Sequence, residues 1–248
     1  MRYFIEFSYF GKAYHGWQKQ PNAITIQQVL EKGISTLLRS TIEVVGAGRT
    51  DAGVHAKQLF AHFDFECIEN TVQLTQRLNN YLPSDIAVKG IFKAQSEAHA
   101  RFDAVQRTYE YWLVQEKNPF YAERAHFIWL PLNLEAMNNA ATILLEYEDF
   151  ECFSKSNTDV KTFFCQVNQA VWEQKDDKLV FTITADRFLR NMVRAIVGTL
   201  LEIGLGKNHP EGIRKIIESK DRGMAGASVP AKGLYLTKIR YPEKLFDE

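Results

Sequence analysis

Gly46-Ala47-Gly48-Arg49-Thr50-Asp51-Ala52-Gly53-Val54-His55-Ala56 joins two strand-like runs, about Thr41 to Val45 and about Leu59 to Phe65. Three glycines, an arginine, a carboxylate and a histidine fall within these eleven residues. Glycine opens backbone angles closed to other residues and lets other atoms approach the main chain. The connection is too long for a tight hairpin turn. An eleven-residue loop between rigid elements needs a reason, and a functional site is a good one. Asp51 has two readings. It is a turn residue capping its own backbone, or it is a carboxylate kept ionised by the nearby Arg49 and able to act as nucleophile or base. No second carboxylate stands at a fixed spacing, so a glycosidase-like pair is not visible.

Working outward, the order of elements decides the fold. Arg2 to Tyr9 alternates, with Tyr3, Ile5, Phe7 and Tyr9 on one face and Phe4 among the polar residues on the other. Thr25 and Gln28 form a capping box for a helix whose apolar stripe is Ile26, Val29, Leu30, Ile34, Leu37 and Leu38. A second helix starts at Asn70, ends near Tyr81 and is closed by Pro83, and Ile86 to Phe92 is a further strand. Strand, helix, strand, strand, helix, strand is the split βαβ or ferredoxin-like order, which predicts one antiparallel sheet with both helices on one face. The aromatic and basic stretch from Phe10 to Gln20 has no helical period. It suits either stacking on bases or an ordinary loop pinned by Trp17 in the core.

The polar segment Ala94 to Asp103 predicts a domain boundary, giving domains at 1–103 and 104–248. In the second, Gln106 to Val114 is a strand with Arg107, Tyr109 and Tyr111 on one face. Asn133 caps a helix, Asp149 to Ser156 is a loop or short strand, and Phe163 to Val171 pairs with Leu179 to Thr184 through a turn at Asp176-Asp177. Arg187 to Leu201 reads as one strongly apolar helix. Arg187, Arg190 and Arg194, three and four residues apart, would share a face of it. That face is either simply solvated, or it supplies a second guanidinium for Asp51 or a phosphate grip. Pro210 opens a shorter helix, and Leu234 to Tyr241 is the last strand.

Composition bounds the rest. In 248 residues, Lys plus Arg equals Asp plus Glu at 30 each, so any RNA site has to be a local basic patch. Cys67, Cys152 and Cys165 are widely spaced and show no zinc spacing, so no metal site is expected. No apolar run has the length to span a membrane, and the N-terminus lacks a signal peptide's regions. These features point to a soluble cytoplasmic protein. There is no nicotinamide or phosphate-loop motif.

The block from Gly48 to Ala56 resembles the G-R-T-D-A-G-V-H-A signature of the TruA-type tRNA pseudouridine synthases. Further similar blocks follow in that family's order. They are Tyr14-His15-Gly16-Trp17-Gln18-Lys19-Gln20, Arg101-Phe102, Arg107-Thr108-Tyr109-Glu110-Tyr111, Phe188 to Gly198, and Pro230 to Leu236. The resemblance covers about Arg2 to Pro242. It implies an α+β fold of two ferredoxin-like-derived domains with antiparallel sheets, sharing a continuous sheet, with the catalytic cleft between them. It also implies a homodimer, tRNA as partner, and isomerisation of uridine to pseudouridine at positions 38 to 40 of the anticodon arm without a cofactor. Residue by residue, it makes Asp51 the nucleophile, Arg49 the group that helps extrude the target nucleotide, and Arg194 the partner of Asp51. Tyr109 would pack on the target base, with Arg107 and Arg190 as further substrate contacts; Arg190 falls at a variable position. One departure is that Lys161-Thr162-Phe163-Phe164-Cys165 lacks an arginine the family commonly carries near there. The alternative from another class is a non-catalytic RNA-binding or RNA-folding module that keeps the cleft. It would explain the aromatics and arginines, but not an intact loop around Asp51.

Overall fold

The first strand, β1 (Arg2–Tyr9), buries Tyr3, Ile5, Phe7 and Tyr9 as the period of two requires. Phe4, expected among polar neighbours, is fully buried as well. Its ring meets Tyr241 and Phe246 edge-on at 5.6 and 5.4 Å and stacks on His62 at 5.8 Å. The returning C-terminal segment therefore covers the far face of the strand.

The computed structural model describes residues 1–155 and 160–246. They divide into two compact units. One is Met1–Val105 with the residues from Leu236 onward; the other is Gln106–Tyr235. A cut at 103/104 does not foresee the return of the chain end to the first unit.

In the first unit, β1 is followed by α1 (Ile26–Leu38), β2 (Val45–Gly46), β3 (His55–Asp64), α2 (Thr71–Tyr81) and β4 (Ile86–Ala94). β1 lies between β3 and β4, antiparallel to both, with Ile5 opposite Ala61 and Ile91. β2 adds antiparallel to β3. The order β4-β1-β3-β2 is the split βαβ arrangement expected from the sequence. Thr25 and Asn70 cap the helices, accepting from the N–H groups of Gln28 and Gln73 at 3.4 and 2.8 Å.

The strand expected over Thr41–Val45 shrinks to two residues. Its backbone groups are claimed by α1 side chains instead. The Ile42 N–H donates to Ser35 Oγ at 2.9 Å, the Val44 N–H donates to Glu31 Oε1 at 3.1 Å, and Val44 O accepts from Gln27 Nε2 at 3.0 Å. A segment satisfied by a helix has no ladder left to offer.

The second unit holds β5 (Gln106–Val114), β6 (His126–Phe127), α3 (Leu134–Ile143), β7 (Val167–Lys175), β8 (Lys178–Ala185), α4 (Met192–Gly204) and α5 (Gly212–Ser219). The last strand, β9 (Leu234–Arg240), starts in this unit and ends in the first. β8 lies between β5 and β7, antiparallel to both, and Phe181 is paired with Tyr111 and Trp172. Asn138 of α3 brackets Trp172, donating to its carbonyl at 3.0 Å and accepting from its N–H at 2.7 Å. α4 is buried on nearly every side, which its apolar sequence anticipates.

Three further starts differ from the sequence reading, the first being β3, which begins at His55 and not near Leu59. β7 begins at Val167 and not at Phe163, and α4 begins at Met192, five residues after Arg187. The loop or short strand expected over Asp149–Ser156 contains a 3-10 turn at Glu151–Phe153, and Ser156 lies outside the described residues. Among the described residues no helix is long and apolar enough to cross a membrane.

His62 on β3 is 5% exposed, and its Nδ1 accepts from the Ala100 N–H at 3.0 Å. Burial, then the positive charge of Arg2 and the neighbouring His99, push its pKa down to about 4, against the opposing pull of Asp64 and Asp103. The folded protein holds it neutral, while the unfolded chain protonates it below about pH 6.5. Its contribution to stability is therefore complete above that pH and fades as the pH falls toward 4. Urea unfolding at pH 7.5 and pH 5 is expected to show about 2 kcal/mol lost from this group at the lower pH. His62→Asn keeps an acceptor for Ala100 and should flatten that slope. An unchanged slope would show that other groups set it.

Candidate active site

The pairing of β2 with β3 ends at Ala47, whose N–H donates to Phe60 O at 2.8 Å. Beyond it the chain leaves the sheet. Asp51 stands half-buried near the tip, with Arg49 exposed. The loop turns back through Gly53, and the Val54 N–H donates to Asp51 O at 3.2 Å. Residues 10–17 hold it from the side. The Trp17 N–H donates to Thr50 O at 3.2 Å, and the Gly53 N–H donates to Tyr14 O at 3.3 Å.

Gly16 is what lets the two backbones meet. Its φ is +84°, and a Cβ there would stand well inside contact distance of the Thr50 carbonyl oxygen. Trp17 is 3% exposed and stacks on Phe7 at 5.5 Å. Tyr14 is buried, and its hydroxyl donates to Asp85 Oδ1 at 2.6 Å. Burial and then the Asp85 carboxylate push that phenol's pKa above its ordinary value. Of the two readings of the Phe10–Gln20 stretch, the loop pinned by Trp17 is the one found. Its aromatic side chains support the Asp51 loop.

His55 is also structural. It is 1% exposed, its Nδ1 accepts from the Gly11 N–H at 2.8 Å, and its ring lies parallel to Phe10 at 4.3 Å. An Nδ1 that accepts places the ring proton on Nε2 in the neutral form.

In the second unit, Tyr109 sits on β5, half-buried, opposite Ile183 and edge-on to Phe188 at 5.2 Å. Arg107, also on β5, donates to Asp186 O at 2.7 Å. Tyr111 turns inward, and its hydroxyl donates to Pro230 O at 3.0 Å. Its phenol is pushed upward by burial and partly offset by the Arg194 charge.

Arg194 lies in the first turn of α4. Its Nε donates to Val229 O at 2.7 Å, and the Val229 N–H donates back to Arg194 O at 3.2 Å. This reciprocal pair fixes the guanidinium against the segment before β9. Gly198 makes the packing feasible, because a Cβ there would collide with the Ala227 carbonyl oxygen. Asn191 and Arg222 both donate to Ser228 Oγ, at 2.6 and 2.9 Å, and complete the brace.

The shared arginine face is overturned. Of Arg187, Arg190 and Arg194, only Arg194 is helical. Asp186 Oδ1 accepts from the N–H groups of Gln166 and Arg187, both at 2.7 Å, and Asn191 takes a left-handed φ of +68°, so the helix starts only after it. Arg190 is exposed on the preceding turn, where its carbonyl accepts from the Lys155 N–H at 3.0 Å. The stretch that lacks the family's arginine near Thr162, residues 161–165, precedes β7 and is not part of that strand. Sequence reasoning missed Asn191, Arg222 and Ser228. The one signal was Asn191 itself, a residue type that tolerates left-handed angles, placed just ahead of an apolar run. Among the described residues no group of three or more His, Cys, Asp or Glu is arranged to hold a metal ion.

A family model described as tRNA pseudouridine synthase matches residues 6–103 and 140–242. The chain is 52% identical over 250 residues to tRNA pseudouridine synthase A of Bacteroides thetaiotaomicron, covering 100% of this chain and 93% of the relative. It is 53% identical over 246 residues to the protein of the same name from Parabacteroides distasonis, covering 99% and 98%. A more distant one from Francisella tularensis is 35% identical over 248 residues, covering 98% and 95%.

The Gly16 contact is testable against a second glycine. Gly206 also has positive φ, at +74°, but nothing lies near its would-be Cβ. Gly206→Ala is expected to cost about 1 kcal/mol, from backbone strain alone. Gly16→Ala should cost about 2–3 kcal/mol, because Thr50 has to move as well. Equal shifts in the urea midpoint would show that the loop yields freely.

Proposed function

We propose a function from one premise: the chain belongs to the TruA-type tRNA pseudouridine synthase family. It is an enzyme, an isomerase that makes pseudouridine in tRNA. Beyond that premise, the substrate is uridine at positions 38 to 40 of the anticodon arm. The N1–C1′ bond breaks, the uracil turns, and C5 joins C1′ as its proton is lost and N1 gains one. Every atom is kept, so the reaction calls for neither a redox cofactor nor an energy source.

In this reading Asp51 is the nucleophile. Arg194 is its guanidinium partner and stabilises charge as the base departs. Arg49 helps draw the nucleotide out of its stack, at a cost of a few kcal/mol. Tyr109 receives the base, and Arg107 and Arg190 grip the strand around it. The protein works as a cytoplasmic homodimer on tRNA.

One observation carries the reading. Asp51 stands half-buried on a loop whose backbone is bound from the side through Thr50 and Gly53. Two further features support it. Tyr109 is backed edge-on by Phe188, and Arg194 is held by Val229.

The test uses unmodified anticodon-arm transcripts, with isomerisation scored at each uridine. Wild type should convert positions 38 to 40. Asp51→Ala should abolish conversion while tRNA affinity stays within a few-fold. Parallel loss of both would remove Asp51 from the nucleophile's role.

A second series separates stacking from the hydroxyl. Base-on-ring stacking is worth about 1–3 kcal/mol. Tyr109→Phe should therefore keep most of the conversion rate, and Tyr109→Leu should lose roughly tenfold or more. Wild-type rates in both variants would leave Tyr109 as a core residue only, and an equal large loss in both would assign its role to the hydroxyl.

A further inference from the structure

The main-chain bonds around Asp51 fix where the loop lies. A separate contact acts on the residue just before it. Tyr9, the last residue of β1, is 5% exposed, and its hydroxyl lies 2.8 Å from Thr50 Oγ1. Two features place it there. Its ring packs against Phe7 at 6.2 Å. The pairing of β1 with β3 also slips between Phe7 and Tyr9. Phe7 faces Leu59 but Tyr9 faces Ala56, so Tyr9 stands one residue nearer the loop than unbroken pairing would put it. Irregular pairing of this kind re-aims a side chain.

The bond reaches a β-branched residue. Such side chains have few χ1 choices, and these are coupled to φ and ψ. Fixing the Thr50 hydroxyl therefore restricts the peptide that leads into Asp51. The Thr50 carbonyl is held as well, by the Trp17 N–H at 3.2 Å, so the residue is gripped at main chain and side chain together.

We propose that Tyr9 is a positioning residue whose hydroxyl, acting through Thr50, sets the direction in which Asp51 presents its carboxylate. This rests on the reading of Asp51 as the nucleophile. Small misplacement of a reacting group costs rate steeply while leaving distant binding contacts alone. The device should therefore appear in the chemical step and not in tRNA affinity.

The experiment is a double-mutant cycle on the full-length protein, with single-turnover conversion and tRNA affinity measured well below the unfolding temperature. Tyr9→Phe and Thr50→Val are each expected to slow conversion about 10- to 100-fold, with affinity within about threefold. Thr50→Ser keeps the hydroxyl and should stay within about threefold of wild type. The double variant should be no slower than the slower single one, because both remove the same bond. Wild-type rate in Tyr9→Phe, or losses that multiply in the double variant, would overturn the proposal. Should Tyr9→Phe fail to fold, Thr50→Val against Thr50→Ser decides alone, and equal rates for that pair would overturn it.

Amide hydrogen exchange across residues 48–56 gives a readout independent of turnover. Faster exchange in Tyr9→Phe supports the positioning role, and unchanged exchange counts against it. A wild-type protein that converts no uridine would defeat the functional reading instead, and the exchange result would still decide whether Tyr9 holds the loop.

Discussion

The contact between the backbones of residues 10–17 and 48–54 is the constraint on which the first unit's proposed chemistry depends. An irregular loop has peptide groups that no sheet satisfies, and each needs a partner. Here the partners come from a second irregular segment, and that segment is anchored by Trp17 and Tyr14 in the core. Magnitudes show why so much support is present. Burying an indole is worth about 3–5 kcal/mol. Ordering each loop residue costs about 1–2 kcal/mol in backbone entropy alone. One buried tryptophan therefore offsets only a few residues of loop. The stacked pairs Phe10–His55 and Phe7–Trp17, the Tyr14–Asp85 bond and the bonds to Thr50 and Gly53 add to what holds a stretch of this length in one shape.

The second unit solves a similar problem with a helix. Arg194 is anchored at the start of α4 by Val229, and the segment carrying Val229 packs where Gly198 leaves room beside Ala227. A guanidinium on a surface helix samples many rotamers, and its charge is smeared over them. One whose Nε is bound to a fixed carbonyl points in one direction. In both units a glycine with no room for a side chain brings an irregular segment against the element that bears the charged group. Position is then set by main-chain atoms, which have far less freedom than a side-chain contact would leave.

What was legible in the sequence follows from the range of the forces involved. Element order, helix caps and strand alternation are local, and they were readable from Thr25, Asn70, Asn133 and the run Tyr3, Ile5, Phe7. The Asp51 loop was legible because its length and its glycines are themselves local anomalies. Two of the failures involved partners outside the segment being read, and one a single backbone angle. Phe4 looked like a lone ring on a polar face because the rings that cover it, Tyr241 and Phe246, lie at the far end of the chain. Thr41–Val44 looked like strand because nothing local announces that Glu31, Gln27 and Ser35 will take its hydrogen bonds. The arginine stripe looked helical because two of its three residues, Arg187 and Arg190, stand at helical spacing just ahead of the real helix that holds Arg194, and one left-handed asparagine separates them from it. The aromatics of residues 10–17 admitted two readings, since base-stacking and core-packing rings are the same residues in different surroundings.

Isomerisation explains why placement carries so much weight. A reaction that keeps every atom and takes no energy from a second substrate gives a protein two main means of acceleration: holding groups in line, and fixing charge where charge develops. Overall charge adds little to either. Lys plus Arg equals Asp plus Glu, so no net field draws a polyanion toward the molecule. Affinity for tRNA has then to come from local groups, and rate from the geometry of a few of them. On the proposed role of Asp51, the buried tyrosines and the glycines behind its loop matter to the chemistry as much as the charged residues that would meet the RNA. A change that spares every charged residue but loosens the loop would cost rate before it cost binding.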